Sequence, residues 1–422
     1  MPRRILAALA FYLALAILPA QDRFPRPDFR SGYTEPEISQ PAPRGWVWQA
    51  VDIAVLLVCL TASALALYRF RSRLLLACVA ALSTAYFGFM RRGCLCPVGS
   101  VQNLAAALLG GGQGAGIHAA LLFILPLAAS LLLGRVYCGG VCPFGAVQDF
   151  LLVKPLRPPR ALDQTLSLVP GLFLGLAVLG AATGTGFLIC RLDPFVGLFR
   201  FSFTSIGLAM SVVVGILSVF IARPYCRWLC PYGALHALAA RLSLRHIQVS
   251  PADCVECRLC ETSCPQDAIR PPGKEPRSGE RAEARRRMER HIAFLALYVA
   301  GGVALGLMAR SLLRALHPAI ALERALASES SLERGSSLAT ATFLASGKSI
   351  EAMAEEAAAA RRHIDIGMLL YGAFAGLLAW AAIAKAMKHK RKPGYDVDPW
   401  RCVSCGRCLS TCPVGRRGRG GP

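Results

Sequence analysis

Eight apolar runs punctuate the chain, at about residues 5–20, 47–68, 74–90, 117–134, 166–189, 205–222, 292–309 and 366–387. A bilayer core needs roughly 17–25 apolar residues per helix, so the runs predict a polytopic helical bundle of about seven or eight transmembrane helices. The first run follows a basic Met1-Pro2-Arg3-Arg4. It reads either as a signal peptide cut at Ala20 or as a retained helix. Residues 21–46 would then lie outside the cytoplasm. Between the later runs, residues 266–291 are rich in Arg, Glu and Pro and predict a solvated linker, its basic part 273–291. Residues 310–365 predict an amphipathic outer hairpin, in which Ser349 to His363 has helical composition.

Composition agrees with the runs. The 422 residues are 55% hydrophobic and 17% charged, which excludes a disordered chain and argues against an ordinary soluble enzyme. The net charge of +22 could point to nucleic acid. The basic residues instead cluster beside the apolar runs: Arg69, Arg71 and Arg73; Arg135, Lys154, Arg157 and Arg160; Arg223, Arg227, Arg241 and Arg245; Lys385 to Lys392. If the helices alternate, all these loops fall on one side, the cytoplasmic side of a bacterial inner membrane. Trp46 and Trp48 then form an outer interfacial anchor. Asp52 and Asp193 are expected near the outer interface, which argues against a transporter that uses charges within the membrane. No two of the seven His are expected to face each other in mid-membrane, so bis-His haem is not predicted, and His236 is expected at the interface, the alternative being contact with a quinone headgroup or a cluster.

Seventeen cysteines change the picture. Two runs have the bacterial ferredoxin spacing for [4Fe–4S] clusters, Cys254-x2-Cys257-x2-Cys260-x3-Cys264-Pro265 and Cys402-x2-Cys405-x2-Cys408-x3-Cys412-Pro413. Two-residue gaps let a tight loop offer three soft thiolates, and the fourth cysteine leaves the loop toward a second cluster. The pairing predicted is crossed: Cys254, Cys257 and Cys260 with Cys412, and Cys402, Cys405 and Cys408 with Cys264. A zinc site would not need the fourth Cys-Pro, and a disulfide framework does not suit a cytoplasmic face. The last two helices form a hairpin, which returns both motifs to one side. The expectation is a split ferredoxin module of residues 246–272 and 395–415, flanking a membrane hairpin over 292–387, with a basic tail at 416–422.

A second pattern recurs at helix ends within residues 47–245: Cys94-Leu95-Cys96-Pro97-Val98-Gly99, Cys138-x3-Cys142-Pro143-Phe144-Gly145 and Cys226-x3-Cys230-Pro231-Tyr232-Gly233. Proline suits the first position of a helix, and a cysteine before it sits where the helix dipole favours thiolate. Cys138, Cys142, Cys226 and Cys230 could meet on the cytoplasmic side as an additional metal or redox centre. Cys94, Cys96 and Cys190 could meet on the outer side, as metal ligands, as a disulfide pair with one free thiol, or as neither. Cys59 and Cys78, in mid-helix, are expected to be packing residues.

Membrane helices bearing Cys-x3-Cys-Pro together with two ferredoxin motifs resemble the membrane polyferredoxin family that includes NosR, NapH and the FixG/CcoG proteins. The resemblance covers about residues 47–265 and 402–413. It implies an electron-transfer subunit of an oxidoreductase system rather than a stand-alone enzyme. Such a subunit would relay electrons between a cytoplasmic or quinone-level donor and a periplasmic redox protein, with a separate flavoprotein as a further expected partner. The alternative it implies is a factor that reduces copper for the maturation of a metal centre. Only eight Met are present and they do not cluster, which disfavours that alternative.

Overall fold

The computed structural model describes residues 45–93, 96–109, 116–249, 254–272, 278–329, 337–387 and 394–413. The first apolar run, the segment that follows it and the basic tail lie outside these residues. Five described helices are long and apolar enough to cross a membrane: Trp46–Arg69, Arg73–Met90, Ala161–Ala182, Arg286–Leu316 and Ile350–Lys385. The pair Pro194–Arg200 and Ser205–Phe220, bent by 102°, makes a sixth if counted as one span. Ile117–Leu133 is apolar but has 17 residues and an internal Pro126. Five or six such spans are thus present among the described residues, which leave out the first of the eight expected runs, and some of the other runs are divided between shorter helices. Run 166–189, for instance, becomes Val169–Ala182 and Leu188–Leu192, separated at Gly184 and Gly186, both with positive φ.

Local capping sets several helix starts. Ser72 accepts from the Leu75 amide ahead of Arg73–Ser83, and Thr204 accepts from the Gly207 amide ahead of Ser205–Phe220. The main core is aromatic and aliphatic: Leu56, Phe87, Phe123, Phe144, Phe195 and Phe199 pack around Cys138, Cys142 and Cys230. Leu57, Val58, Val213, Leu297, Leu305 and Met308 point outward instead, and their apolar side chains suit a lipid surround.

The last two long helices, Leu295–Leu316 and Ile350–Met387, meet along a glycine seam. A Cβ on Gly302 would strike the backbone of Gly372 and Gly376, and one on Gly306 would strike that of Met368 and Gly372. Small residues four apart on both helices allow backbones to touch where lipid offers no hydrophobic drive. The expected solvated linker is more ordered than its polarity suggested. It contributes the strand Ile269–Arg270 and the helix Ser278–Ala293, whose Ala, Glu and Arg are good helix formers. The expected outer hairpin becomes two short helices, Pro318–Ser328 and Leu338–Ala345, while Ser349 to His363 mostly extends the 38-residue helix Ile350–Met387.

The hairpin returns the chain to the first ferredoxin motif. Ile269–Arg270 pairs antiparallel with Asp396–Val397, in the register Ile269 to Val397 and Arg270 to Asp396. The Asp398 amide donates to the Ala268 carbonyl at 2.8 Å, Arg270 pairs with Asp398 at 2.6 Å, and the hydroxyls of Ser263 and Thr411 meet at 3.1 Å.

Candidate metal centre

The two ferredoxin halves share a local design. Glu256 and Arg258 in the first loop have left-handed φ, as do Ser404 and Gly406 at the matching places in the second. These turns curl the backbone around a point, so that cysteines separated by two residues can face it. Each loop ends in a five-residue helix, Leu259–Ser263 or Arg407–Thr411, followed by an extended cysteine, Cys264 or Cys412.

Cys264 lines one cavity with Cys402, Cys405 and Cys408, walled by Ile247, Ile269 and Val397. Three thiols come from one motif and the fourth from the other. Burial pushes the Cys402 thiol up to about 12, with neighbouring Cys405 and Cys264 adding to the rise. Burial also raises Cys405 and Cys408. These surroundings favour neutral thiols, so metal binding there must release protons. In the first motif Cys260 is buried while Cys254 and Cys257 are exposed. Cys412 is half-buried and is not among the residues that line the cavity.

The four cysteines of the helix-end repeats also converge. Cys138 lies in the five-residue helix Val136–Gly140 and Cys226 in the five-residue helix Pro224–Trp228. Cys142 and Cys230 cap the helices that follow, with nearly equal backbone angles (φ −67°, ψ 116° and φ −68°, ψ 111°) and proline at the start of each helix. The four thiols lie within electrostatic reach of one another. The Gly233 amide donates to Cys230 Sγ at 3.3 Å. Gln148 Nε2 donates to Cys226 Sγ at 3.3 Å, and its Oε1 accepts from the Tyr225 amide at 3.0 Å. Among the described residues no three His, Cys, Asp or Glu are drawn together tightly enough to hold one ion.

Arg223 joins the two sets. Its side chain is 1% exposed, donates to the carbonyls of Cys138 and Gly139, and pairs with Asp149 at 2.5 Å. Its charge reaches both Cys226 and Cys405. A Cβ on Gly139 would meet the carbonyl oxygens of Val403 and Ser404, so the second ferredoxin loop sits on the turn that carries Cys138. In the sequence Arg223 reads only as a loop charge, because nothing local marks it as buried.

His236 is buried within the protein: its Nδ1 lies 2.6 Å from Ser130 Oγ and its ring stacks on Tyr137 at 5.1 Å. Asp52 is fully buried, paired with Arg91 and bonded by the Tyr86 hydroxyl at 2.9 Å, and Asp193 is 3% exposed. Hydrogen-bonded partners make the burial of both carboxylates tolerable. Cys59 packs on the main core and Cys78 is exposed on its helix. Cys94 lies outside the described residues. Cys96 and Cys190 are free thiols, and Cys190 donates to Gln102 Oε1 at 2.9 Å.

A 4Fe-4S binding domain model matches residues 93–116, 115–158 and 203–250, and a second 4Fe-4S binding domain model matches residues 247–270. The chain is 34% identical over 159 residues to protein NirI of Paracoccus denitrificans, covering 34% of this chain and 23% of NirI. It is 35% identical over 172 residues to regulatory protein NosR of Pseudomonas aeruginosa, covering 36% of this chain and 24% of NosR. An uncharacterised protein of Methanocaldococcus jannaschii is 30% identical over 191 residues, 43% of this chain and 76% of that protein. The match thus spans about a quarter of NirI and NosR. No solved structure matches. Fold and motifs define a multi-pass helical membrane protein with 4Fe-4S binding domains. The chain belongs to the membrane polyferredoxin family.

Proposed function

We propose that this chain is an electron-transfer protein of the bacterial inner membrane that carries two [4Fe–4S] clusters in its split ferredoxin module, facing the cytoplasm. The observation that carries the reading is the shared cavity of Cys264 with Cys402, Cys405 and Cys408. That set is the three-plus-one ligation of a two-cluster ferredoxin, and the other cluster takes Cys254, Cys257, Cys260 and Cys412. Bound clusters would supply one-electron redox chemistry; the chain's own residues hold them, shield them and set their surroundings. Ile247, Ile269 and Val397 keep water from one site, and Arg223 places a positive charge between that site and the four cysteines Cys138, Cys142, Cys226 and Cys230. Those four are proposed to hold an additional centre on the path toward a periplasmic redox partner. The donor is a cytoplasmic or quinone-level reductant.

Electron paramagnetic resonance with iron and labile-sulfide counts on anaerobically purified protein tests this. Cys264→Ser is expected to remove the same signal as Cys405→Ser and to leave the second signal in place. Iron-free protein, or a Cys264→Ser spectrum that instead loses the signal lost in Cys257→Ser, would overturn it.

A further inference from the structure

The structure contains another copy of the cysteine-bearing turn, in which an aspartate replaces the second cysteine. Leu188–Leu192 is a five-residue helix with Cys190 in third place, as Cys138 is in Val136–Gly140 and Cys226 is in Pro224–Trp228. Each of these short helices leads to a capping residue and then a proline-initiated helix. In this copy the cap is Asp193, at φ −74° and ψ 117°, close to the angles of Cys142 and Cys230, and Pro194 opens the helix Pro194–Arg200. The connection is one residue shorter, Cys190-x2-Asp193-Pro194 against Cys-x3-Cys-Pro. Cys96 stands at the same place before Pro97–Leu109, and its sulfur accepts from the Gly99 amide at 3.3 Å, as Cys230 does from Gly233.

The placement of the glutamines repeats, although the hydrogen bonds run in opposite directions. Six residues after Cys142, Gln148 Nε2 donates to the sulfur of Cys226; six residues after Cys96, Gln102 Oε1 accepts from the thiol of Cys190, a proton that ligation by Cys190 would displace. Cys96, Cys190 and Asp193 lie within electrostatic reach of one another. Gln102 is fully buried, and its Nε2 has no hydrogen-bond partner among the described residues although its Oε1 is engaged. A buried amide donor left unsatisfied beside the Cys190 thiol calls for an acceptor bound in the site. Tyr225 links the two sets: its hydroxyl donates to Asp193 Oδ2 at 2.9 Å, and its backbone precedes Cys226.

We propose that Cys96, Cys190 and Asp193 are ligands of a second buried iron–sulfur centre, of mixed thiolate and carboxylate ligation, related to the four-cysteine set by the internal repeat. This rests on the iron–sulfur reading above. A carboxylate is a harder ligand than a thiolate, so this centre differs electronically from its all-cysteine counterpart. Gln102 Nε2 donates toward the bound group.

The test is iron and labile-sulfide counting with electron paramagnetic resonance on the full chain, purified anaerobically and reconstituted with ferrous iron and sulfide. Cys190→Ser is expected to lower iron and sulfide by one centre's share while the ferredoxin signals persist. Asp193→Cys is expected to keep the iron and to shift the spectrum and potential of that one centre. Unchanged counts and spectra in Cys96→Ser, Cys190→Ser and Asp193→Cys, with ferredoxin signals present, overturn this inference alone. Recovery of a Cys96–Cys190 disulfide from the reconstituted protein overturns it too. Absence of the ferredoxin signals from the unmutated chain overturns the underlying reading instead.

Discussion

Gly139 lies against Ser404: a Cβ at 139 would strike the Ser404 carbonyl oxygen and come within 2.9 Å of that of Val403. The turn that carries Cys138 and the loop that carries Cys402 and Cys405 therefore touch backbone to backbone. Gly139→Ala is expected to push them apart, at about 1–3 kcal/mol, the usual cost of overpacking. The check is a lower thermal midpoint in detergent together with faster iron release to a chelator.

The glycine seam gives a prediction with its own control. Gly302→Leu is expected to separate Leu295–Leu316 from Ile350–Met387 and to lower iron content, because the seam aligns the two ferredoxin halves. Gly301 has open space around its Cβ position, so Gly301→Leu is expected to leave iron content unchanged. Equal iron losses in the two variants would show that the seam plays no part.

Asp149 gives a pH dependence. Burial alone would raise its carboxyl, but the Arg223 guanidinium more than reverses this and holds it below the ordinary range. A depressed folded value stabilises the fold above the unfolded value of about 3.9, and the contribution is lost as pH falls through the folded value. Asp149→Asn leaves Arg223 buried beside a neutral partner and is expected to cost about 3 kcal/mol at neutral pH. The difference between variant and parent should shrink below about pH 4 in thermal melts.

Asp52 makes a similar case at another helix contact. Asp52→Ala removes the carboxylate that Arg91 and the Tyr86 hydroxyl share, and about 3–5 kcal/mol of destabilisation is expected. Replacing Asp52 and Arg91 together by apolar residues should recover most of it. The double-variant melt decides whether the pair stabilises the bundle or only tolerates burial.

The apolar runs and the Cys-Pro repeats are legible in the sequence because a bilayer needs a minimum length of apolar chain and a cluster needs thiols at fixed spacing. Asp193 is not legible as a repeat member: an aspartate replaces the cysteine and one residue is missing, so Cys190-x2-Asp193-Pro194 matches no cysteine pattern. Arg223 gives no local signal either, since its importance lies in contacts to distant residues. Gln102 and Gln148 stand at the same place in their repeats, six residues after Cys96 and Cys142, but the sulfur each one meets is brought to it by another part of the chain. Gly302, Gly306, Gly372 and Gly376 are visible as residues, but their role depends on which two helices meet.

The short ladder of Ile269–Arg270 and Asp396–Val397 joins segments that lie on either side of two long helices. The strands cannot pair until both helices have been made and folded back on each other. Under the proposed two-cluster reading, the cavity shared by Cys264 and Cys402 is therefore loaded late in biogenesis, and a chain stalled before its last helix would hold Cys264 without Cys402, Cys405 and Cys408 to close the site.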